Sequence, residues 1–90
     1  MKLSDLRVDP KTLDTYAPPR HRGTVNHRLW PKPGMSGPIE VIRGHLAFGG
    51  GADPHYHANS DQMVYMLSGQ LRIVGLEDEV ILSNGEFMML

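Results

Sequence analysis

The chain has 90 residues, with nine lysine or arginine residues, ten aspartate or glutamate residues and no cysteine. The length predicts one small domain, and the net charge of −1 indicates neither a nucleic-acid nor a membrane partner. The absence of cysteine excludes disulfides and thiolate metal sites. The sequence contains no run of 18 apolar residues, so we expect no membrane-spanning helix. Because the N-terminus lacks the apolar core of a signal peptide, we expect a cytoplasmic protein.

Residues 1–23 are polar and irregular, and we predict that they form an N-terminal arm that wraps the domain or its partner. One helical turn is expected in Ser4–Arg7 and another in Pro10–Asp14. The two prolines of Ala17–Arg20 favour an extended connector. The basic cluster Arg20–Arg22 is interpreted as a solvated loop, with an anion contact as the alternative.

Residues 24–90 are predicted to form the β domain. Seven short segments are rich in strand-forming residues, and turn residues separate them. The segments are 24–30, 39–48, 55–57, 62–67, 70–74, 80–82 and 86–90. Since no long helix is predicted, the pattern indicates an all-β sandwich or barrel.

Three turns are predicted within this domain. Glycines are poor strand interiors, so Gly49–Gly51 is predicted to be a turn that delivers the chain to the next strand. Gly75–Glu79 is acidic, and a solvated hairpin tip is favoured over a cation site. Asn84-Gly85 is a strong hairpin signal that leads into the last strand.

Two histidines are the strongest functional signal. His55 and His57 are two residues apart, so their imidazoles share one face if the segment is extended, which the preceding Pro54 favours. Four residues separate His57 from Gln62, and a strand pairing would bring the Gln62 amide opposite the histidines. Imidazoles with a facing oxygen donor are a plausible ligand set for a divalent transition metal.

The spacing of these residues resembles the first motif of the cupin superfamily. That motif has a glycine, then His-x-His, then glutamate, then a closing glycine, and the matching residues are Gly50, His55, His57, Gln62 and Gly69. The one departure is Gln62, which stands where the family usually has glutamate. Residues 83–90 resemble the opening of the second cupin motif, whose proline and third histidine would follow Leu90. The resemblance covers about residues 39–90.

The resemblance implies a cupin-type jelly-roll β-barrel, incomplete at its C-terminal end, with an irregular N-terminal arm. It implies a metal-dependent, dioxygenase-like enzyme that acts on a small oxygenated or anionic substrate, with His55, His57 and Gln62 as metal ligands. Fe(II), Mn(II), Ni(II), Cu(II) and Zn(II) all suit nitrogen and oxygen ligands. Tyr56 and Tyr65 are candidate polar contacts. The alternative is a small-molecule-binding module without metal or catalysis.

Two further expectations concern assembly and the remaining histidines. The apolar strand 86–90 is an aggregation-prone edge unless it is covered, and the arm is suited to reach across a neighbour, so we expect a homodimer built by strand or arm exchange. His27 is expected to be at the surface or half-buried. His45 is expected to be a hydrogen-bonded core or rim residue, although a position in the metal cavity is the alternative.

Overall fold

The chain is mostly β-structure, which confirms the all-β prediction. A computed structural model describes residues 2–54 and 59–90. Strands account for 46% of the structure and helical turns for 8%. The described strands pair as three two-stranded antiparallel sheets, without a closed ring of pairings. The chain divides into two compact units, Met1–Pro54 and His55–Leu90.

The first unit contains two short 3-10 helices followed by two long strands. The helices are Leu3–Leu6 and Pro10–Thr12, so both predicted helical turns are confirmed. The strands are β1, His21–Trp30, and β2, Val41–Ala52. β1 begins three residues before the predicted start of the first strand, so its first residues come from the predicted basic loop. None of the helices in the described part of the chain is long and apolar enough to cross a membrane.

The predicted arm pairs with β1 through Tyr16. The Tyr16 amide donates to the Asn26 carbonyl at 3.0 Å, and the Asn26 amide donates to the Tyr16 carbonyl at 2.8 Å. The amide and carbonyl of Asn26 both bond to Tyr16, so they do not bond to Gly44, the residue opposite Asn26 on β2. Side chains approach most closely across such a non-hydrogen-bonded pair. A Cβ atom at position 44 would lie 2.9 Å from Asn26 Oδ1, so glycine makes room for this buried amide.

The prediction of a turn at Gly49–Gly51 is wrong, because β2 continues through these glycines. Arg22 and Thr24 are two positions apart on β1, but their partners on β2 are five positions apart, so β2 bulges here. Gly49 adopts a φ of 79°, which glycine tolerates. At Gly50 a Cβ atom would lie only 2.5 Å from the Arg22 carbonyl oxygen. The glycines therefore allow an irregular strand to stay paired.

The second unit contains four shorter strands. They are β3, Met63–Tyr65; β4, Gln70–Val74; β5, Glu79–Ser83; and β6, Phe87–Met89. β4 and β5 form an antiparallel hairpin, and β3 pairs with β6, so the hairpin lies between two paired strands in the sequence.

The predicted hairpin at Asn84-Gly85 is wrong in its pairing. A turn is present and Gly85 has a φ of 76°, but β6 pairs with β3 and not with β5. The Ser83 amide donates to Glu86 Oε1 at 2.7 Å, and the Glu86 amide donates to the Ser83 carbonyl at 3.0 Å. These two bonds close the turn at Asn84-Gly85, one of them through the Glu86 side chain. The strand that follows the turn, β6, then pairs with β3.

Leu82 on β5 is the most enclosed apolar side chain among the described residues, with 4% of its surface exposed. The register pairs it with Leu71 and pairs Ile73 with Val80, so these four side chains share one face of the β4–β5 hairpin. Leu71 and Ile73 are half-buried. This face is the apolar side of the hairpin.

We expect Leu82→Ala to lower the free energy of unfolding by about 2 kcal/mol or more, because it removes packed methyl groups and leaves a cavity. The matched control is Leu76→Ala in the β4–β5 turn, where the side chain is fully exposed (106%). The control should change stability by no more than about 0.5 kcal/mol. Urea titration followed by circular dichroism measures both variants, and equal losses would contradict the assignment of Leu82 to the core.

Candidate functional site

The predicted metal ligands are divided between described and undescribed parts of the chain. His55 and His57, with Tyr56 between them, lie outside the described residues 2–54 and 59–90. Gln62, the third predicted ligand, is described. The geometry of the predicted site is therefore described from Gln62 and its neighbours.

Gln62 is held at the end of the β3–β6 ladder. Its carbonyl oxygen accepts a hydrogen bond of 2.7 Å from the Leu90 amide. The register of the ladder pairs Met63 with Met89, so Gln62 and Leu90 extend it by one pair in the same register. At the other end the Met66 amide donates to the Glu86 carbonyl at 2.9 Å. The backbone of Gln62 is thus fixed by pairing on β6.

The side chain of Gln62 shares a face with Val64 and Met66, as the alternation of the sequence predicts. Val64 and Met66 are half-buried, and so is Met88, which pairs with Val64. The opposite face is more open, since 57% of the Tyr65 surface is exposed. Gln62 itself is exposed, so it presents an amide at the rim of the better-covered apolar face, whereas Tyr65 lies on the other face.

The glycines of the cupin-like pattern have backbone roles. Gly50 has no room for a Cβ atom, as described above. Gly69 has a φ of 86° just before β4, in the left-handed region that favours glycine. These positions need glycine to shape the chain before and after the predicted ligands, whether or not a metal is bound.

No other metal-ligand cluster accompanies these residues in the described ranges. Neither residues 2–54 nor residues 59–90 contain a group of three or more histidine or carboxylate side chains placed to hold an ion. His27 is half-buried, as predicted. His45 is exposed, which excludes the core position of the two predicted for it and leaves the rim position. Glu77 and Asp78 are exposed at the acidic turn, in agreement with a solvated hairpin tip.

Sequence reasoning missed a groove in the first unit. It has a volume of about 390 Å³, and its lining includes Leu13, Tyr16, Arg28, Pro31, Lys32 and Met35. The Arg28 guanidinium lies 5.5 Å above the centre of the Tyr16 ring, and Lys32 Nζ donates to the Asp5 carbonyl at 2.7 Å. The groove therefore combines apolar walls with two cations that are held in place and with the carboxylate of Asp14. Its only sequence signal is a proline-rich loop next to basic residues.

Comparison with known proteins found no family model, no curated protein and no solved structure that matches the chain. The cupin interpretation therefore depends on the spacing of the residues named above.

Gln62→Glu tests whether this amide lies beside a metal. If it does, the variant should bind Mn(II), Ni(II) or Zn(II) about ten-fold more tightly or better, because a carboxylate replaces an amide, and ten-fold corresponds to about 1.4 kcal/mol. Isothermal titration calorimetry measures the change.

The matched control for this test is Gln70→Glu, which makes the same charge change on β4 of the same unit. Equal gains in the two variants would show a general charge effect and contradict a role for Gln62 as ligand.

Proposed function

We propose that the chain is a cupin-type, jelly-roll β domain that binds a divalent transition metal and acts on a small oxygenated or anionic substrate by dioxygenase-like chemistry. His55, His57 and Gln62 would hold the metal. The observation that carries the proposal is the His-x-His pair followed, at the family spacing, by an amide placed at the rim of an apolar face. The glycines at 50 and 69 support the same pattern, since the backbone requires them.

The donor set suits Fe(II), Mn(II), Ni(II) and Zn(II), because it consists of nitrogen and oxygen atoms. All three donors are neutral, so a bound ion keeps its full charge of about +2, whereas a glutamate would cancel one unit. A weaker hold on the ion and a stronger attraction for an anionic substrate follow from this difference.

The roles of the chain's own residues follow from their chemistry. When bound, the metal would supply Lewis-acid or redox activation of an oxygen-containing substrate. The Gln62 amide either ligates the metal through its oxygen or donates an N–H to a neighbouring water or substrate oxygen. Val64 and Met66, half-buried beside it, would limit the access of water to that side.

His55→Ala and His57→Ala should each abolish metal uptake and leave the β-type circular-dichroism spectrum unchanged, because a ligand is lost without loss of backbone pairing. Elemental analysis of the purified protein measures bound metal. His45→Ala, on exposed β2, is the control and should retain the metal. A metal content that is the same in all four proteins would contradict the assignment, and so would a wild type without metal.

A second candidate function is a small-molecule-binding module without catalysis, and the groove beside Tyr16 and Arg28 favours it. Its volume of about 390 Å³ falls in the range of ligand pockets, and its walls are largely apolar. Elemental analysis separates the two functions: stoichiometric iron, nickel or manganese supports the enzyme, and a metal-free protein that retains an organic ligand supports the module.

We also propose that the protein is a homodimer in which strands or arms of two copies associate. Among the described residues β6 pairs on one side only, with β3. Its apolar side chains are about half exposed, with 50% for Phe87 and 55% for Met89. A second copy that pairs with this edge would cover backbone groups and apolar surface together.

We expect light scattering at micromolar concentration to give the mass of a dimer. Met89→Glu should shift the mass towards the monomer, because it places a charge on the exposed face of β6. Leu76→Glu adds the same charge at the β4–β5 turn and should leave the dimer intact. A monomeric wild type would overturn the proposal.

A further inference from the structure

The paired strands β1 and β2 contain many basic side chains and no acidic ones. Three arginines and three histidines lie within them: His21, Arg22, His27, Arg28, Arg43 and His45. Residues 1–54 also hold eight of the nine lysine and arginine residues of the chain but only five of its ten acidic residues. The first unit is therefore locally positive although the whole chain is nearly neutral, and a local positive potential attracts anions.

Two of the three arginines are paired with acids from outside the strands. Arg22 Nη1 lies 3.0 Å from Asp53 Oδ1, and Arg28 Nε lies 3.6 Å from Glu40 Oε2. Within residues 2–54 and 59–90, no carboxylate forms an ion pair with the third, Arg43. Arg43 is exposed near the start of β2, so its guanidinium is available to an external anion.

The register of the ladder places two histidines beside Arg43. His27 pairs directly with Arg43, and His45 follows two residues later on the same strand, opposite Val25. Side chains of paired residues lie on one face, with Cβ atoms about 5 Å apart across a pair and about 7 Å apart along a diagonal. The pairing is unbroken from Thr24 to Arg28, so the backbone fixes the three side chains relative to one another.

The arm pairs along the free edge of β1, and its Tyr16 ring lies on the face of the paired strands β1 and β2 that is opposite His27. Tyr16 pairs with Asn26, and its ring lies under Arg28, both of which alternate with the residues of the cluster. The Tyr16 ring therefore does not cover the face that holds His27, Arg43 and His45, and on that face Arg43 and His45 are exposed while His27 is half-buried.

We propose that His27, Arg43 and His45 form a binding site for a small oxyanion, a carboxylate or a phosphate. A guanidinium donates two parallel hydrogen bonds to such a group, and each imidazole supplies an N–H donor at its side. The fixed positive charge of Arg43 opposes a metal cation between the two histidines. The site is independent of the proposed metal site, since it uses none of its ligands.

The test is titration of the full-length protein with inorganic phosphate and, separately, with acetate, by calorimetry at constant ionic strength because exposed charges are screened by salt. We expect Arg43→Gln to weaken binding of the preferred anion by about ten-fold or more, which corresponds to the loss of hydrogen bonds from a charged group. Arg43→Lys should restore binding only in part, because lysine lacks the planar pair of donors. The anion that binds more tightly identifies the ligand class.

Arg7→Gln, which removes the same charge in the N-terminal arm, is the control and should bind like the wild type. His45→Asn provides a second variant within the cluster and should weaken binding several-fold. Equal binding by Arg43→Gln and wild type would overturn the proposal, as would an equal loss in Arg7→Gln. Loss of anion binding in His55→Ala with Arg43 intact would place the anion at the metal site and overturn it too.

Discussion

Antiparallel backbone pairing holds each described strand of this chain to one other strand, and each unit depends on it. In the first unit, Tyr16, β1 and β2 are joined by ladder hydrogen bonds, and in the second, β3 pairs with β6 and β4 with β5. Leu82 is the single apolar side chain among the described residues that is buried. With so little enclosed apolar surface, satisfied backbone groups become the main local constraint.

Pairing also decides which side chains meet. Gly44 allows Asn26 to lie close against β2, and Gly50 allows β2 to bulge and pair again beside Arg22. From Thr24 to Arg28 the register is regular, and it places His27 beside Arg43. In the second unit the extension of the β3–β6 ladder to Gln62 and Leu90 places an amide at the rim of an apolar face. Both proposed sites therefore depend on register.

The two proposed sites would both favour anions, but by different chemistry. The proposed metal site would have only neutral donors, so a bound ion would keep its charge and attract anions. The cluster at Arg43 consists of one permanent cation and two imidazoles, which also favours anions. A protein with both sites would recognise small acidic molecules in two ways, through a metal and through hydrogen bonds from side chains.

The sequence by itself determined the features that depend on neighbouring residues. It predicted the two helical turns, the all-β class, the strand at 70–74 and the face that Gln62 shares with Val64, because strand alternation and turn preferences are local. Tertiary structure decided the partners. The turn at Asn84-Gly85 looks like a hairpin, yet β6 pairs with β3, and β2 passes through three glycines because β1 supplies hydrogen bonds beyond the bulge. The pairing of His27 with Arg43 was also decided by tertiary structure. Pairing between segments that are distant in the sequence depends on contacts that no local pattern contains.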